Sequence, residues 1–258
     1  MVYQTFMIVF EKDEDRFRNW ININKIMENN IKKFTAIDCI NQYPKWRKFA
    51  LQNHYCSVEY IRNEVERVGT GKLGCNLSHQ LLLESIEKEY LQYLEYLKYI
   101  EKNKNDFSNI SNNLYEVNKP IEWYLILEDD VGVKDTFKNI DNFLKTTIKN
   151  LERESPDSKY VQLCIYDNFF IQQTNAPNIF DTTHNKIPQY GTCAYLIHID
   201  AIRYLNFIKP WDKNIDFIYN SLDKQFKSVA TFNPYFYCQG TIDRQDDHTK
   251  GLGSLIWN

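Results

Sequence analysis

Short apolar runs and longer segments with helical periodicity alternate along this chain. The apolar runs Tyr3–Phe10, Phe34–Ile37 and Trp123–Leu127 have the length and composition of buried strands. Between them, apolar residues recur every three or four positions on one helix face, as in the set Val58, Ile61, Val65 and Val68. Strands that alternate with helices predict an α/β fold with a mixed, mainly parallel sheet flanked by helices.

The second half of the chain continues this alternation. Its pattern predicts, in order, a helix Asp135–Leu151, strands Tyr160–Tyr166 and Cys193–Ile199, a helix Ala201–Ile208, and a last helix from Ile215. We expect one domain over residues 1–258, with a surface insertion at 101–119 that is rich in Asn, Lys and Ser. That insertion is either a lid or a segment without function.

Three adjacent carboxylates, Glu128, Asp129 and Asp130, follow the strand Trp123–Leu127 directly. Ligands bind at the carboxyl ends of strands in open α/β sheets. Neighbouring acids repel one another unless a positive charge lies between them, and a hard divalent cation with oxygen ligands would supply it. The alternative is a solvated turn or the start of the next helix.

A second unusual segment has three glycines, Gly69, Gly71 and Gly74, just before a helical pattern that we expect to begin at Ser78. Backbone N–H groups at a helix start attract phosphate. The alternative is a plain loop in which Ser78 caps the helix. The segment is neither a Walker A motif, because no Gly-Lys-Ser/Thr follows, nor a dinucleotide fingerprint, because no strand precedes it.

Composition narrows the functional classes. The 31 Lys and Arg residues and 34 Asp and Glu residues give a net charge of −3, which does not indicate a nucleic-acid partner. None of the six cysteines forms a CxxC pair, which argues against a zinc site. Cys164 and Cys193 lie in apolar strand patterns, and we interpret them as buried thiols in a reducing compartment.

The chain has neither a signal-peptide pattern at its start nor an apolar segment near the about 18 residues that a membrane span needs. We therefore expect a soluble cytoplasmic protein. Its abundant Asn, Lys, Ile and Tyr residues are typical of a viral or other low-GC genome. The sequence does not predict an oligomeric state.

Together, the two motifs resemble those of glycosyltransferase family 25, which includes lipopolysaccharide sugar transferases and collagen hydroxylysine galactosyltransferases. Gly71, Gly74, Cys75, Ser78 and His79 match its Gly-x-x-Gly-Cys-x-x-Ser-His stretch, and Leu127–Val131 matches its strand ending in Leu-Glu-Asp-Asp. Weaker similarities cover nearly the whole chain: Met7–Phe10, Arg16, Phe34–Asp38, Gly191–Leu196 and Asp216. The chain departs from the family at Phe10-Glu11, where Asn-Leu is common, and at Ser254–Ile256, where an Asp is missing.

The resemblance implies a GT-A fold and a metal-dependent, inverting transfer of a sugar from a UDP-sugar to a hydroxyl of a glycan or glycoprotein. Glu128 and Asp130 would hold Mn²⁺ or Mg²⁺ against the departing diphosphate. Asp129 would point the other way, towards the sugar or a structural partner. His248 is a candidate third ligand, with an exposed histidine as the alternative, and Lys250 could pair with the diphosphate.

The resemblance also implies roles for residues around the nucleotide. Asp216 is the candidate general base, although it could equally cap a helix Phe217–Phe226. The remaining predicted contacts of the nucleotide sugar are Phe10, Glu11, Arg16, Asp38, Gly71, Gly74, Ser78 and His79. Arg16 could instead pair with Asp13, and His79 could be a satisfied residue at a helix start.

Three rival classes use similar residues. A metal nuclease is disfavoured because no acidic-x-Lys pair follows the carboxylates. A haloacid-dehalogenase-type phosphatase is disfavoured because the first acid is Glu128 and not Asp. A degenerate GT-A domain that binds a nucleotide sugar or glycan without turnover stays as the alternative.

Overall fold

The computed structural model describes residues 2–103, 120–164, 172–173, 179–181, 192–231 and 235–238. Most of the insertion, from residue 104 to residue 119, lies outside these residues, as do His248, Lys250 and Gly191. The described strands are β1 Tyr3–Val9, β2 Ile31–Thr35, β3 Trp123–Glu128, β4 Val131–Val133, β5 Tyr160–Gln162, β6 Gln172–Gln173, β7 Ile179–Asp181, β8 Ala194–His198, β9 Ser228–Thr231 and β10 Phe236–Cys238.

The described helices lie mainly between these strands. They are α1 Glu14–Ile26, α2 Cys39–Gln52, α3 Val58–Tyr60, α4 Glu66–Val68, α5 Gly71–Lys102, α6 Phe137–Glu154, α7 Ile199–Phe207 and α8 Ile215–Asn220. A π-helical turn joins α3 to α4, and a 3₁₀ turn follows α8. None of the described helices is both long enough and apolar enough to cross a membrane.

The main sheet has the strand order β2-β1-β3-β8-β5-β9-β7-β6. β1 pairs in parallel with β2 and β3, and β5 pairs in parallel with β9, whereas β8 is antiparallel to both β3 and β5. Among the described strands of this sheet, only β8 and β7 therefore run against the common direction. The α/β class with a mixed, mainly parallel sheet flanked by helices is confirmed.

β3 is apolar from Trp123 to Leu127 because both of its faces are covered. Trp123, Leu125 and Leu127 pack in one core with residues of α6, while Tyr124 and Ile126 pack in a second core with residues of α5 and α7. Burying each large apolar side chain stabilises the fold by roughly 1.5–3 kcal/mol. The three carboxylates can therefore end a rigid strand in the centre of the sheet.

The start of α5 differs from the sequence prediction. The helix begins at Gly71 and not at Ser78, so Gly71 and Gly74 lie in its first turns and Ser78 is not its cap. A Cβ on Gly74 would lie 2.7 Å from the carbonyl oxygen of Ile37, which shows that the helix packs closely on the connection after β2. Ser78 joins the two segments, because its Oγ donates to the Gly74 carbonyl at 2.6 Å and accepts from the Ile37 N–H at 2.8 Å.

Two further predictions are wrong. Asp216 does not cap a helix, since α8 begins at Ile215 and Asn214 occupies the N-cap position. Cys193 is disulfide-bonded and is not a free thiol, whereas Cys164 is free and buried. Disulfides are rare in a reducing cytosol, so the cysteines no longer favour a reducing compartment.

Candidate active site

The carboxyl ends of β1, β2 and β3 meet the first turns of α5 at one pocket. Its lining includes these residues from the sequence prediction: Phe10, Arg16, Gly71, Gly74, Ser78, His79, Glu128, Asp129 and Asp130. Its apolar wall is formed by Ile8, Ala36, Ile37 and Ile40. The structure thus brings the glycine segment and the three carboxylates together, although 48 residues separate His79 from Leu127.

Asp129 is held by structural partners. Its Oδ2 accepts from the backbone N–H of Phe10 at 2.6 Å, and its Oδ1 accepts from Arg16 Nη1 at 2.5 Å. Its backbone carbonyl accepts from Asn19 Nδ2 at 2.8 Å. Burial raises the pKa of this carboxyl, although Arg16 and the Phe10 N–H oppose the change. Of the two roles expected for Asp129, the structure shows the structural one.

Glu128 belongs to a hydrogen-bonded chain that runs into the protein. Its Oε1 accepts from Thr192 Oγ1 and lies 2.9 Å from His79 Nε2. The other ring nitrogen of His79, Nδ1, lies 2.8 Å from the Tyr195 hydroxyl, which lies 2.6 Å from the Tyr219 hydroxyl. Burial opposes ionisation of Glu128, but hydrogen bonds and charge from these partners hold its pKa below the usual range.

Asp130 has the opposite environment. Only 8% of the residue is exposed, and its Oδ1 has no hydrogen-bond partner. Burial and the charges of Glu128 and Asp129 raise its pKa to about 7. A buried carboxylate oxygen without a partner beside a second carboxylate suits a divalent cation with oxygen ligands. The residues present therefore fit the metal that the motif implies.

Cys75 adds a sulfur donor to this corner of the pocket. It lies one helical turn before His79 on α5, so both side chains project from the same face. The ligand atoms of Cys75, His79 and Glu128 all lie within 4.8 Å of one another. Burial raises the pKa of the Cys75 thiol, and the nearby carboxylates raise it further.

α8 carries Asp216 and is tied to α5 through Asn76. The Asn76 Nδ2 donates to the Lys213 carbonyl at 2.9 Å, and its Oδ1 accepts from the Ile215 N–H at 2.9 Å. Asp216 does not line the pocket itself. Its charge adds to the effect of burial in raising the pKa of Cys75 and of Tyr219.

Two predicted nucleotide contacts have other partners. Asp38 accepts from Lys12 Nζ at 2.7 Å and caps α2 through the Asn41 N–H at 3.0 Å. Burial opposes ionisation of Asp38, but these bonds lower its pKa. Glu11 is exposed and forms an ion pair with Lys33. Neither carboxylate lines the pocket.

Sequence reasoning missed the supporting residues Asn19, Thr192, Tyr195 and Tyr219. Tyr195 lies opposite Ile126 because β8 pairs antiparallel with β3, and Thr192 lies just before β8. That pairing depends on the tertiary fold, and an isolated Tyr in an apolar strand gives no local signal of it. Asn19 could be suspected only as a polar residue in the middle of a half-buried helix.

Comparison with known proteins gives a distant similarity of fold. Neither protein-family profiles nor curated protein sequences match the chain. A Bacillus anthracis protein provisionally named a glucose-1-phosphate thymidylyltransferase, solved with sucrose, aligns with TM-score 0.42 and 9% identity over 98% of each chain. A mannose-1-phosphate geranyltransferase from Thermus thermophilus aligns with TM-score 0.34 and 9% identity over 91% of this chain and 75% of its own. At these values the similarities carry no assignment of activity.

Proposed function

We propose that this protein is a metal-dependent glycosyltransferase of the GT-A type. It transfers a sugar from a UDP-sugar to a hydroxyl group of a glycan or glycoprotein, with inversion at the anomeric carbon. The observation that carries the proposal is Asp130, whose buried Oδ1 has no partner at the end of the central strand, beside Glu128. Such an unpartnered acid in a pocket indicates a functional site and not a structural one.

The charges of the pocket support a donor that arrives with a metal. Among its lining residues the basic side chain is Arg16, and Asp129 already engages it. A nucleoside diphosphate would therefore meet an excess of carboxylates. Mn²⁺ or Mg²⁺ bound by Glu128 and Asp130 would neutralise both and act as a Lewis acid on the leaving diphosphate.

The chain's own residues would position the donor around that centre. The apolar wall of Ile8, Ala36, Ile37 and Ile40 suits the nucleobase, which Phe10 would contact from the end of β1. His79, fixed between Tyr195 and Glu128, would hold the Glu128 carboxylate in a single orientation. Lys250 and His248, as inferred from the sequence, would complete the diphosphate and metal contacts.

Asp216 is the proposed general base for the acceptor hydroxyl. The hydrogen bonds of Asn76 to both sides of the α8 start fix that helix relative to α5 and therefore relative to His79. The acceptor would approach between α8 and the end of β3. The positions shared with family 25, among them Gly74, Ser78, His79 and Glu128, lie around one pocket, and this clustering supports placement in that family.

The test is UDP release from a panel of UDP-sugars, with and without Mn²⁺. We expect one sugar to give metal-dependent release, because donor hydrolysis proceeds slowly without an acceptor. Asp130→Asn keeps the side-chain shape but removes the charge, and we expect it to lower the rate about 100-fold or more. Asp135→Asn is the matched control, since Asp135 is exposed and Asn keeps its acceptor for the Thr136 N–H.

The other outcomes separate the alternatives. Metal-dependent UDP binding without any release, even with glycan acceptors, favours the degenerate domain that binds a nucleotide sugar without turnover. Equal release by wild type and Asp130→Asn contradicts the assigned metal site. If the protein neither releases UDP from any sugar nor binds UDP, the nucleotide-sugar assignment as a whole is contradicted.

A further inference from the structure

Cys75, His79 and Glu128 form a mixed set of donors that differs in chemistry from the carboxylate pair. Their sulfur, nitrogen and oxygen ligand atoms lie within 4.8 Å of one another. Hard cations such as Mg²⁺ and Mn²⁺ prefer oxygen ligands, whereas a thiolate and an imidazole favour Zn²⁺. Three protein ligands with one open position is the arrangement of many zinc sites that also bind water or substrate.

The surroundings of His79 suit a metal ligand. Its Nδ1 lies 2.8 Å from the Tyr195 hydroxyl, and Tyr195 is fixed in turn by Tyr219 at 2.6 Å. When Nδ1 carries the proton and donates to Tyr195, Nε2 offers a lone pair to a cation, in place of the hydrogen bond that it gives to Glu128 in the metal-free protein. Zinc-bound histidines show this arrangement, in which the second ring nitrogen is held by an outer partner.

Asp130 offers a further acceptor in the same pocket, although it is not one of the three grouped ligands. Asp130 is more than nine-tenths buried, and its Oδ1 accepts no hydrogen bond. Asp130 lines the same pocket as Cys75, His79 and Glu128, so an ion can enter from solvent. A thiolate and a carboxylate neutralise a divalent cation, so the filled site buries no net charge.

We propose that Cys75, His79 and Glu128 bind a thiophilic divalent cation, Zn²⁺ in the first place. The cation replaces the Sγ proton of Cys75, which leaves to solvent, and forms bonds to Sγ, Nε2 and a Glu128 oxygen. Because Glu128 also belongs to the carboxylate pair, Zn²⁺ at this site competes with Mn²⁺ there. The search for CxxC pairs does not detect such a site. Two of its ligands, Cys75 and His79, are four residues apart on a helix, and the third, Glu128, ends a distant strand.

Cobalt substitution tests this proposal without any activity measurement. Co²⁺ is titrated into the metal-free protein, and the sulfur-to-cobalt charge-transfer band is followed in the near ultraviolet. We expect a band that saturates at one equivalent and disappears when Zn²⁺ displaces the cobalt. A wild-type protein that gives no such band overturns the proposal.

The variants identify the sulfur. Cys75→Ala should abolish the band, whereas Cys56→Ala should keep it, because Cys56 is a buried free thiol that does not line the pocket. A band that persists in Cys75→Ala overturns the proposal. If Cys75→Ala does not fold by circular dichroism, His79→Gln replaces it: at least about tenfold weaker Co²⁺ binding is expected, and unchanged affinity overturns the site.

The result is independent of the proposed transferase activity. A failed cobalt test with intact Mn²⁺-dependent UDP release rejects the Zn²⁺ site alone. A positive cobalt test without UDP release keeps the Zn²⁺ site and rejects the transferase.

Discussion

Asp130 lies among like charges with one carboxylate oxygen that accepts no hydrogen bond. Its neighbour Asp129 is fully engaged by Arg16 and the Phe10 N–H, and Glu128 is engaged by His79 and Thr192. The fold thus satisfies two of the three acids and leaves the third for a ligand. A buried carboxylate such as Asp130, which lowers the stability of the fold, is typical of a functional position.

This cost predicts a pH-dependent gain in stability for Asp130→Asn. The pKa of Asp130 is raised from 3.8 to about 7, so the folded protein holds a proton that the unfolded chain releases in that range. The contribution of Asp130 to the stability of the metal-free wild type therefore falls as pH rises from about 4 to about 7. Asp130→Asn removes this loss, and at pH 8 we expect it to be more stable by roughly 1–4 kcal/mol.

Urea unfolding of both proteins at pH 5 and pH 8 measures the difference. Other titrating groups are common to both proteins, so the change in the difference between the two pH values reports Asp130. A difference that does not grow with pH contradicts the environment assigned to this carboxyl.

Arg16 provides the positive charge that lets Asp129 stay buried. Arg16→Met removes this charge from the three carboxylates, and we expect the free energy of unfolding to fall by about 3–5 kcal/mol. The double variant Arg16→Met with Asp129→Asn should recover much of this loss. Arg18→Met is the control, since its pair with Asp15 is exposed on both sides and contributes at most about 1 kcal/mol.

A double variant as unstable as Arg16→Met alone would show that the loss does not come from the Arg16–Asp129 pair.

At this scale, sequence reasoning identified Glu128, Asp129 and Asp130 because three acids after an apolar run are visible locally. It could not assign Arg16 to Asp129, because the two are 113 positions apart and only the tertiary fold brings α1 to the end of β3.

At the scale of elements, α5 connects the pocket to the rest of the fold. Gly74 lets it approach the connection after β2, where a Cβ would lie 2.7 Å from the Ile37 carbonyl oxygen. Gly74→Ala should therefore destabilise the protein by about 1–3 kcal/mol, despite the higher helix propensity of Ala. Thermal unfolding measures this, with Lys98→Ala on the exposed part of the same helix as a near-neutral control. Equal stability of Gly74→Ala and wild type would rule out the close approach.

α7 begins with a pH-sensitive cap. His198 Nδ1 accepts from the Asp200 N–H at 3.2 Å, which requires the neutral imidazole. Burial, together with the charge of Lys159, lowers the pKa of His198 from 6.5 to about 4. Its contribution is therefore complete above about pH 6.5 and is lost as pH falls towards 4.

His198→Asn keeps a capping acceptor and removes the titration. We expect wild type to lose roughly 1–3 kcal/mol more than this variant between pH 7 and pH 4. Denaturant unfolding at the two pH values checks this, and parallel losses in the two proteins would show that His198 is not buried in its neutral form.

Element boundaries were harder to foresee than the elements themselves. The strands β1 and β3 were visible as apolar runs, and α6 as a periodic pattern. The second strand was predicted at Phe34–Ile37, but β2 spans Ile31–Thr35 and contains the exposed Lys32 and Lys33. The sequence pattern predicted the start of α5 at Ser78, seven residues after its actual start at Gly71, because glycine has a low helix propensity. Close packing on Ile37 overrides that preference, and nothing local in the sequence encodes it.

At the scale of the whole molecule, the sheet direction decides where chemistry can occur. β1, β2 and β3 run in parallel, so their carboxyl ends lie at one edge and converge on the pocket. β8 enters antiparallel beside β3 and brings Thr192 and Tyr195 to Glu128 and His79. The α/β class followed from the alternation of patterns, but the place of β8 could not, because strand order is set by long-range pairing.

The central claim is that Glu128 and Asp130 bind a divalent cation together with a nucleoside diphosphate. The most direct measurement is electron paramagnetic resonance of free Mn²⁺ during titration of the protein, with and without UDP. We predict that wild type and Asp135→Asn bind Mn²⁺, more tightly when UDP is present, and that Asp130→Asn binds it at least about tenfold more weakly. Equal Mn²⁺ affinity in wild type and Asp130→Asn, with no effect of UDP, would contradict the account.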